Sequence, residues 1–141
     1  MSELLRPQEI GIPVPQIGTH SAPLWEAAQR GVVAFQRCEQ CGASPHKVAV
    51  VCGRCHARNL AWVESAGRGR LYSWTVVWRP QTPAFHVPYA PAIVQMDEGF
   101  WLICSLIGLA PDDIKADLEV GIEFHAASEA LQIPYARPLP R

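Results

Sequence analysis

The chain of 141 residues holds no run of about eighteen apolar residues, which excludes a membrane-spanning helix. It shows no secretory signal at its start, so the expectation is a cytoplasmic protein in a reducing compartment. A Gly-rich phosphate loop is missing: Gly67-Arg68-Gly69 lacks both the length and the strand–helix context of one. Excess positive charge is also absent. The formal net charge is −1, whereas a strong nucleic-acid binder shows a net basic domain. Nor is there a visible catalytic set. His20, His46, His56, His86 and His125 are scattered, with no Ser, Cys or carboxylate at charge-relay spacing. Asp112 and Asp113 follow Ala110-Pro111 and read as helix-start acids, not as a paired-carboxylate site. Cys104 lies in an apolar strand beside Ile103 and Leu106 and reads as a buried, inert thiol.

What is present is a cysteine pattern. Cys38, Cys41, Cys52 and Cys55 read C-x2-C, ten residues, C-x2-C, in "RCEQCGASPHKVAVVCGRCHAR". Each C-x-x-C lets two thiolates reach one ion from a tight turn, and two facing pairs complete a tetrahedral four-thiolate site. Disulfides or four idle thiols fit the spacing and the compartment less well. Zinc is the default metal. An iron centre of the rubredoxin type uses the same ligands, so spacing leaves electron transfer open. With all four positions taken by cysteine, no place remains for water or substrate, and the ion staples a fold without doing chemistry.

The remaining segments arrange themselves around that ribbon. Residues 1–20, with Pro7, Pro13 and Pro15, read as an extended arm. Residues 21–31 read as a short docking helix, with Ser21 or Ala22 at its start, Pro23 in its first turn and Gly31 as its stop. Residues 32–60 form the zinc ribbon, in which "VVAFQRC" enters the first knuckle, "HKVAVVC" returns as a strand and "NLAWVES" leaves. Residues 61–141 read as short strands divided by turn signals: "GRGRLYSWTVVWR" as the longest, then "PAIVQM" and "FWLICSLIG" joined by Asp97-Glu98-Gly99. "APDDIKADL" supplies a helical turn, "EVGIEFHA" a strand, and "LQIPYARPLPR" a last edge strand that its prolines stop. The fold class expected is mostly β: an N-terminal helix, a rubredoxin-like zinc ribbon and a C-terminal OB-fold barrel.

The charge is unevenly spread. Residues 30–79 carry eight basic and two acidic residues, residues 80–141 three basic and eight acidic. A basic half suits an anionic ligand; ordinary solvated arginines account for it equally well. Residues 80–91, "PQTPAFHVPYAP", form a stiff connection with four prolines. Such a loop either clamps a partner or packs its aromatics back on its own barrel.

The "LWEAAQRG" helix, the four-cysteine ribbon, the segment W-x-E-S-x-G-R-G-x-x-Y-S-W-T-V-V and the "DEG" turn together resemble the acyl-CoA-associated zinc-ribbon/OB-fold proteins, long catalogued as a domain of unknown function. The resemblance covers roughly residues 21–138, and the ribbon joined to the G-R-G-x-x-Y-S-W-T strand is its most specific part. It implies a non-catalytic accessory subunit that binds and stabilises a thiolase-fold acyl-CoA enzyme: a retro-aldolase that shortens steroid side chains, a thiolase or an acyltransferase. Some members pair with hot-dog-fold, MaoC-like hydratases, and some border the CoA site. The sequence departs from the family at Trp78, where a smaller polar residue is frequent, and in its aromatic-rich loop. On this reading Arg68, Arg70 and Arg79 are candidates for the CoA phosphates. Trp25, Trp78, Phe85, His86 and Tyr89 are candidate interface anchors, because large aromatics dominate contact energetics. The alternatives are a single-stranded nucleic-acid module, since OB barrels and ribbons both bind nucleic acid, and the iron–tetrathiolate carrier.

Overall fold

A computed structural model describes residues 3–140. Helix α1 (Ala22–Gln29) starts at Ser21 with Pro23 in its first turn, where the missing proline N–H costs nothing. Gly31 ends it with φ +74°, a left-handed conformation open to glycine. Ala27 and Ala28 are its buried face, set against the barrel and the ribbon. At two turns, α1 would not persist alone, so this docking is what holds it.

Strands β1 (Ala34–Cys38) and β2 (Leu60–Glu64) form an antiparallel ribbon in which Cys38 faces Leu60 and Ala34 faces Glu64. This differs from the sequence expectation in two ways. "NLAWVES" does not leave the ribbon; it is the partner strand of β1. "HKVAVVC" is not a strand: residues 46–52 make no ladder. Gln36, buried in β1, holds that segment through its side chain instead. Its Oε1 accepts from the Ala49 N–H at 2.8 Å and its Nε2 donates to the Ala49 carbonyl at 3.0 Å. One amide thus satisfies both backbone groups that a ladder would have paired.

The barrel is closed, in the order β3-β4-β5-β7-β6, from β3 (Arg68–Trp74), β4 (Ala90–Met96), β5 (Trp101–Leu106), β6 (Glu119–Ser128) and β7 (Leu131–Pro138). The β4–β5 hairpin turns at Gly99, and a 3-10 turn at Pro111–Asp113 precedes β6. The longest strand is β6, with ten residues; β3 ends at Trp74 and carries a bulge between Leu71 and Ser73. That bulge breaks the strict alternation of faces that the β3 sequence suggests. The tail is also more than an edge. Strand β7 pairs along β6 and adds two parallel rungs to β5, Ser105 with Tyr135 and Leu106 with Ala136, both beyond Pro134. These rungs begin only after the residue that has no N–H to offer.

Inside sit Leu71, Val94, Leu106, Val120 and Ala136, each at most 1% exposed. Phe35 from β1 and Leu5 from the arm join the same cluster. Phe35 stacks on Phe100 with ring centroids 4.3 Å apart, so ribbon and barrel share one core. Leu5 is tied in by backbone bonds to Leu109 and Gly108 at 2.9 and 2.8 Å. Glu98, at the β4–β5 turn, adds a polar latch. Its carboxylate accepts from the Ser65 hydroxyl and the Ala66 N–H, both at 2.7 Å, and its carbonyl accepts from Arg37 at 3.1 Å.

Gly69 is required by proximity, not by φ. A Cβ there would lie 2.5 Å from the Gln95 carbonyl oxygen and 2.8 Å from a Val94 methyl. Gly69→Ala therefore forces β3 off β4, and a loss of about 1–3 kcal/mol is expected in urea denaturation. An unchanged midpoint would contradict this packing.

Candidate metal centre and interface residues

Two matching turns present the four thiols. In the first, the Cys38 N–H donates to the Ala43 carbonyl and the Gly42 N–H to the Cys38 carbonyl, at 2.8 and 2.9 Å. In the second, the Cys52 N–H donates to the Ala57 carbonyl and the His56 N–H to the Cys52 carbonyl, again at 2.8 and 2.9 Å. Each turn needs a left-handed residue after its second cysteine. Gly42 (φ +77°) fills that place once and His56 (φ +65°) fills it again.

The sulfurs converge. All four Sγ atoms lie within 4.8 Å of one another, and Cys38–Cys55 and Cys41–Cys52 are each 3.6 Å apart. Zn–S bonds of about 2.3 Å in tetrahedral array put sulfurs about 3.8 Å apart, so the donor set fits a four-thiolate metal site. No disulfide joins them. Backbone amides prepare the thiolates: the Cys55 and Arg54 N–H groups push Cys52 down to about 6. The Cys41 N–H likewise holds Cys38 below the ordinary thiol value. Cys55 is drawn down by the Ala57 N–H, yet burial and the other three sulfurs push it up to about 12. Four thiols this close cannot all ionise unaided; a dication in their midst resolves the conflict. The residues present can hold a metal ion.

Cys104 is apart from this. Burial alone pushes its thiol up to about 12. In native protein at pH 8 it is expected not to react with a thiol-specific disulfide reagent, and to react fully once denatured. Rapid native labelling would contradict its placement.

The other residues singled out from the sequence are dispersed. Arg68 and Arg70 open β3 side by side, but Arg70 is paired with Glu119 at 2.8 Å and bonds the Asp117 carbonyl. Asp97 and Glu119 line the same groove as both arginines. Arg79 lies past the other end of β3, which is about 20 Å long at 3.3 Å per residue. The structure does not bring the three to one spot.

The proline-rich loop turns inward. Phe85 packs on the cluster of Ile12, Ala127 and Leu131, together with Trp25, and stacks on Tyr89 at 5.6 Å. His86 is clamped by the arm. Its N–H donates to Gln8 Oε1 at 2.7 Å, its carbonyl accepts from Gln8 Nε2 at 2.9 Å, and its Nδ1 faces Arg6 at 2.9 Å. Of the five aromatic candidates, Trp78 alone is well exposed, at 63%. Sequence reasoning passed over Ile103 (64% exposed) and Trp101, which stacks on His46 and meets Tyr72 at a tilt. The alternating pattern of β5 was the signal for them, since it places 101 and 103 on the side opposite buried Cys104.

Residues 62–125 match the family described as ChsH2, C-terminal OB-fold domain. The chain is 30% identical over 104 residues to a DUF35 domain-containing scaffold protein of Methanothermobacter thermautotrophicus, spanning 72% of this chain and 77% of that one. The chain belongs to the DUF35 family. A second relative is the probable enoyl-CoA hydratase alpha subunit of Thermomonospora curvata, 36% identical over 126 residues. That match takes in 89% of this DUF35 chain but 40% of the hydratase subunit, so the chain spans well under half of that protein. Among solved structures, a chain of the Ltp2-ChsH2(DUF35) aldolase superposes with a TM-score of 0.81 at 35% identity, over 89% of this chain and 98% of that one. No helix of the described residues is long and apolar enough to cross a membrane.

Proposed function

We infer that this DUF35 chain is a non-catalytic accessory subunit, which binds a thiolase-fold acyl-CoA enzyme of the retro-aldolase, thiolase or acyltransferase type and holds it in its active form. The observation that carries this is the match to nearly the whole DUF35 chain of an aldolase named for two components. The four-thiolate site supports it as scaffold chemistry: a closed set of cysteines braces a ribbon and leaves no position for substrate. Zinc, one ion per chain, is the metal we assign. CoA esters of steroid side chains are the substrates we place first for the assembly, and the bond-breaking groups belong to the other subunit. Where the chain borders CoA, Arg68 and Arg70 are the phosphate contacts to test first. The 36% identity with part of a hydratase alpha subunit favours a second reading, in which the companion is a MaoC-like acyl-CoA hydratase.

Co-expression with an aldolase subunit of the Ltp2 kind tests this. The expected result is a hetero-oligomer on size exclusion with light scattering, and acyl-CoA cleavage by the complex but not by this chain. An isolated chain that stays monomeric with aldolase and hydratase alike, and turns over a thioester unaided, would overturn it.

A further inference from the structure

We propose that Cys41 and Cys55 are reversible oxidation sites, through which an oxidant of the peroxide class converts the four-thiolate centre into two disulfides, Cys38–Cys55 and Cys41–Cys52, and frees its metal. The centre has a closed side and an open one. Cys38 and Cys52, the first cysteine of each knuckle, are 1% and 2% exposed, and the Arg54 N–H donates to the Cys52 sulfur at 3.4 Å. Cys41 and Cys55, the second of each, are partly exposed. Space is open beside both knuckles: a Cβ added at Gly42 or Gly53 would meet no atom of the described residues within 4 Å, chain neighbours aside. Small solutes therefore reach the second cysteine of each pair first. Each of these has a buried sulfur of the other knuckle beside it, Cys38 at 3.6 Å from Cys55 and Cys52 at 3.6 Å from Cys41. The convergence that suits an ion thus also gives each open thiolate a resolving partner.

Zinc, the metal assigned above, has no redox chemistry of its own, so the electrons come from sulfur. A lone pair of the Cys41 or Cys55 thiolate attacks one peroxide oxygen. The O–O bond breaks, and hydroxide leaves to become water on taking up a proton. The cysteine is then a sulfenic acid. The neighbouring buried thiolate attacks that sulfur, the S–O bond breaks, and a second hydroxide leaves to become water. Each disulfide consumes one peroxide and two protons and yields two waters. Thiolates are the metal ligands, so once both pairs are oxidised none remains to hold the ion. A dithiol reverses the change by exchange. Because both pairs run from one knuckle to the other, the ribbon stays stapled as the metal leaves. Closing from 3.6 Å to a bond of about 2.05 Å reshapes the knuckles without parting them. This inference stands independently of the accessory-subunit reading.

The test uses the full metal-loaded chain and hydrogen peroxide, with released metal read by a chromophoric chelator and the cysteines mapped by mass spectrometry. Cleavage after Arg37, Lys47, Arg54 and Arg58 separates residues 38–47, 48–54 and 55–58, so Cys52 and Cys55 fall on different peptides. The expected result is one ion released per chain, with four of the five cysteines oxidised and Cys104 still free. Peptide 38–47 should be joined to both others, and fragmentation should assign Cys38 to Cys55 and Cys41 to Cys52. Dithiothreitol with added zinc should restore the full metal content. On the untreated chain, single-hit labelling with N-ethylmaleimide should find Cys41 and Cys55 several-fold ahead of Cys38 and Cys52. Metal retained in excess peroxide, with all four thiols intact, would overturn the proposal. So would bridges confined within a knuckle, Cys38–Cys41 and Cys52–Cys55, or sulfinic acids formed without a bridge. Equal labelling of the four cysteines would remove the open side on which the proposal rests.

Discussion

Cys38→Ser is expected to empty the metal centre and unfold the ribbon. Thiolate coordination contributes an apparent 10–16 kcal/mol, roughly, in small zinc peptides. A whole domain is stable by only about 5–15 kcal/mol. Losing one of four ligands therefore removes more than the ribbon's own packing can replace. The effect does not stop at the knuckle, because Cys38 ends the strand that also carries Phe35 into the barrel core. Metal analysis should read one ion per chain in wild type and none in the variant, with the near-ultraviolet circular dichroism of the aromatics lost and association with the enzyme subunit abolished. A colourless wild type excludes iron and elemental analysis should then read zinc; a red one with a reversible visible spectrum would assign iron. A variant that is metal-free yet natively packed would contradict the structural role.

Phe100→Ala is expected to be the most damaging substitution outside the metal site. Phe100 is 3% exposed, Phe35 is 4% exposed, and their rings are stacked. Truncating a buried phenylalanine costs about 3–5 kcal/mol, through lost transfer energy and the cavity left behind. Here the cavity opens between the two modules, where neither can collapse alone to fill it. Chemical denaturation should show the midpoint falling steeply, and a single transition should split in two as ribbon and barrel unfold apart. A single transition less than about 1 kcal/mol below wild type would show that the Glu98 latch, not the aromatic stack, joins them.

The difference between β3 and β5 shows how far sequence reading reaches. Strand β5 alternates regularly, so its inner and outer residues are readable from a period of two. Strand β3 has the same alternation in its letters, yet one bulge reassigns every side chain after Leu71. A bulge is set by the register of the neighbouring strand, and no local pattern announces it. The segment before Cys52 misleads for a related reason. Its valines have strand propensity, but Gln36 supplies the backbone partners and leaves no ladder to form.

By itself the sequence determined the parts whose chemistry is local. The four thiols lie in short turns whose geometry depends on three or four adjacent residues, and spacing alone therefore specifies a metal site. Proline in the first turn of α1 and glycine after its end bound that helix for the same reason. The mostly-β class followed from strand-length apolar runs between turn residues. Only the tertiary structure decided which aromatics face solvent, that β7 closes the barrel and is not an edge, and that Arg79 lies far from Arg68 and Arg70. These are relations between residues distant along the chain. They depend on strand register and on shared burial, which are properties of the assembled core and of no single segment.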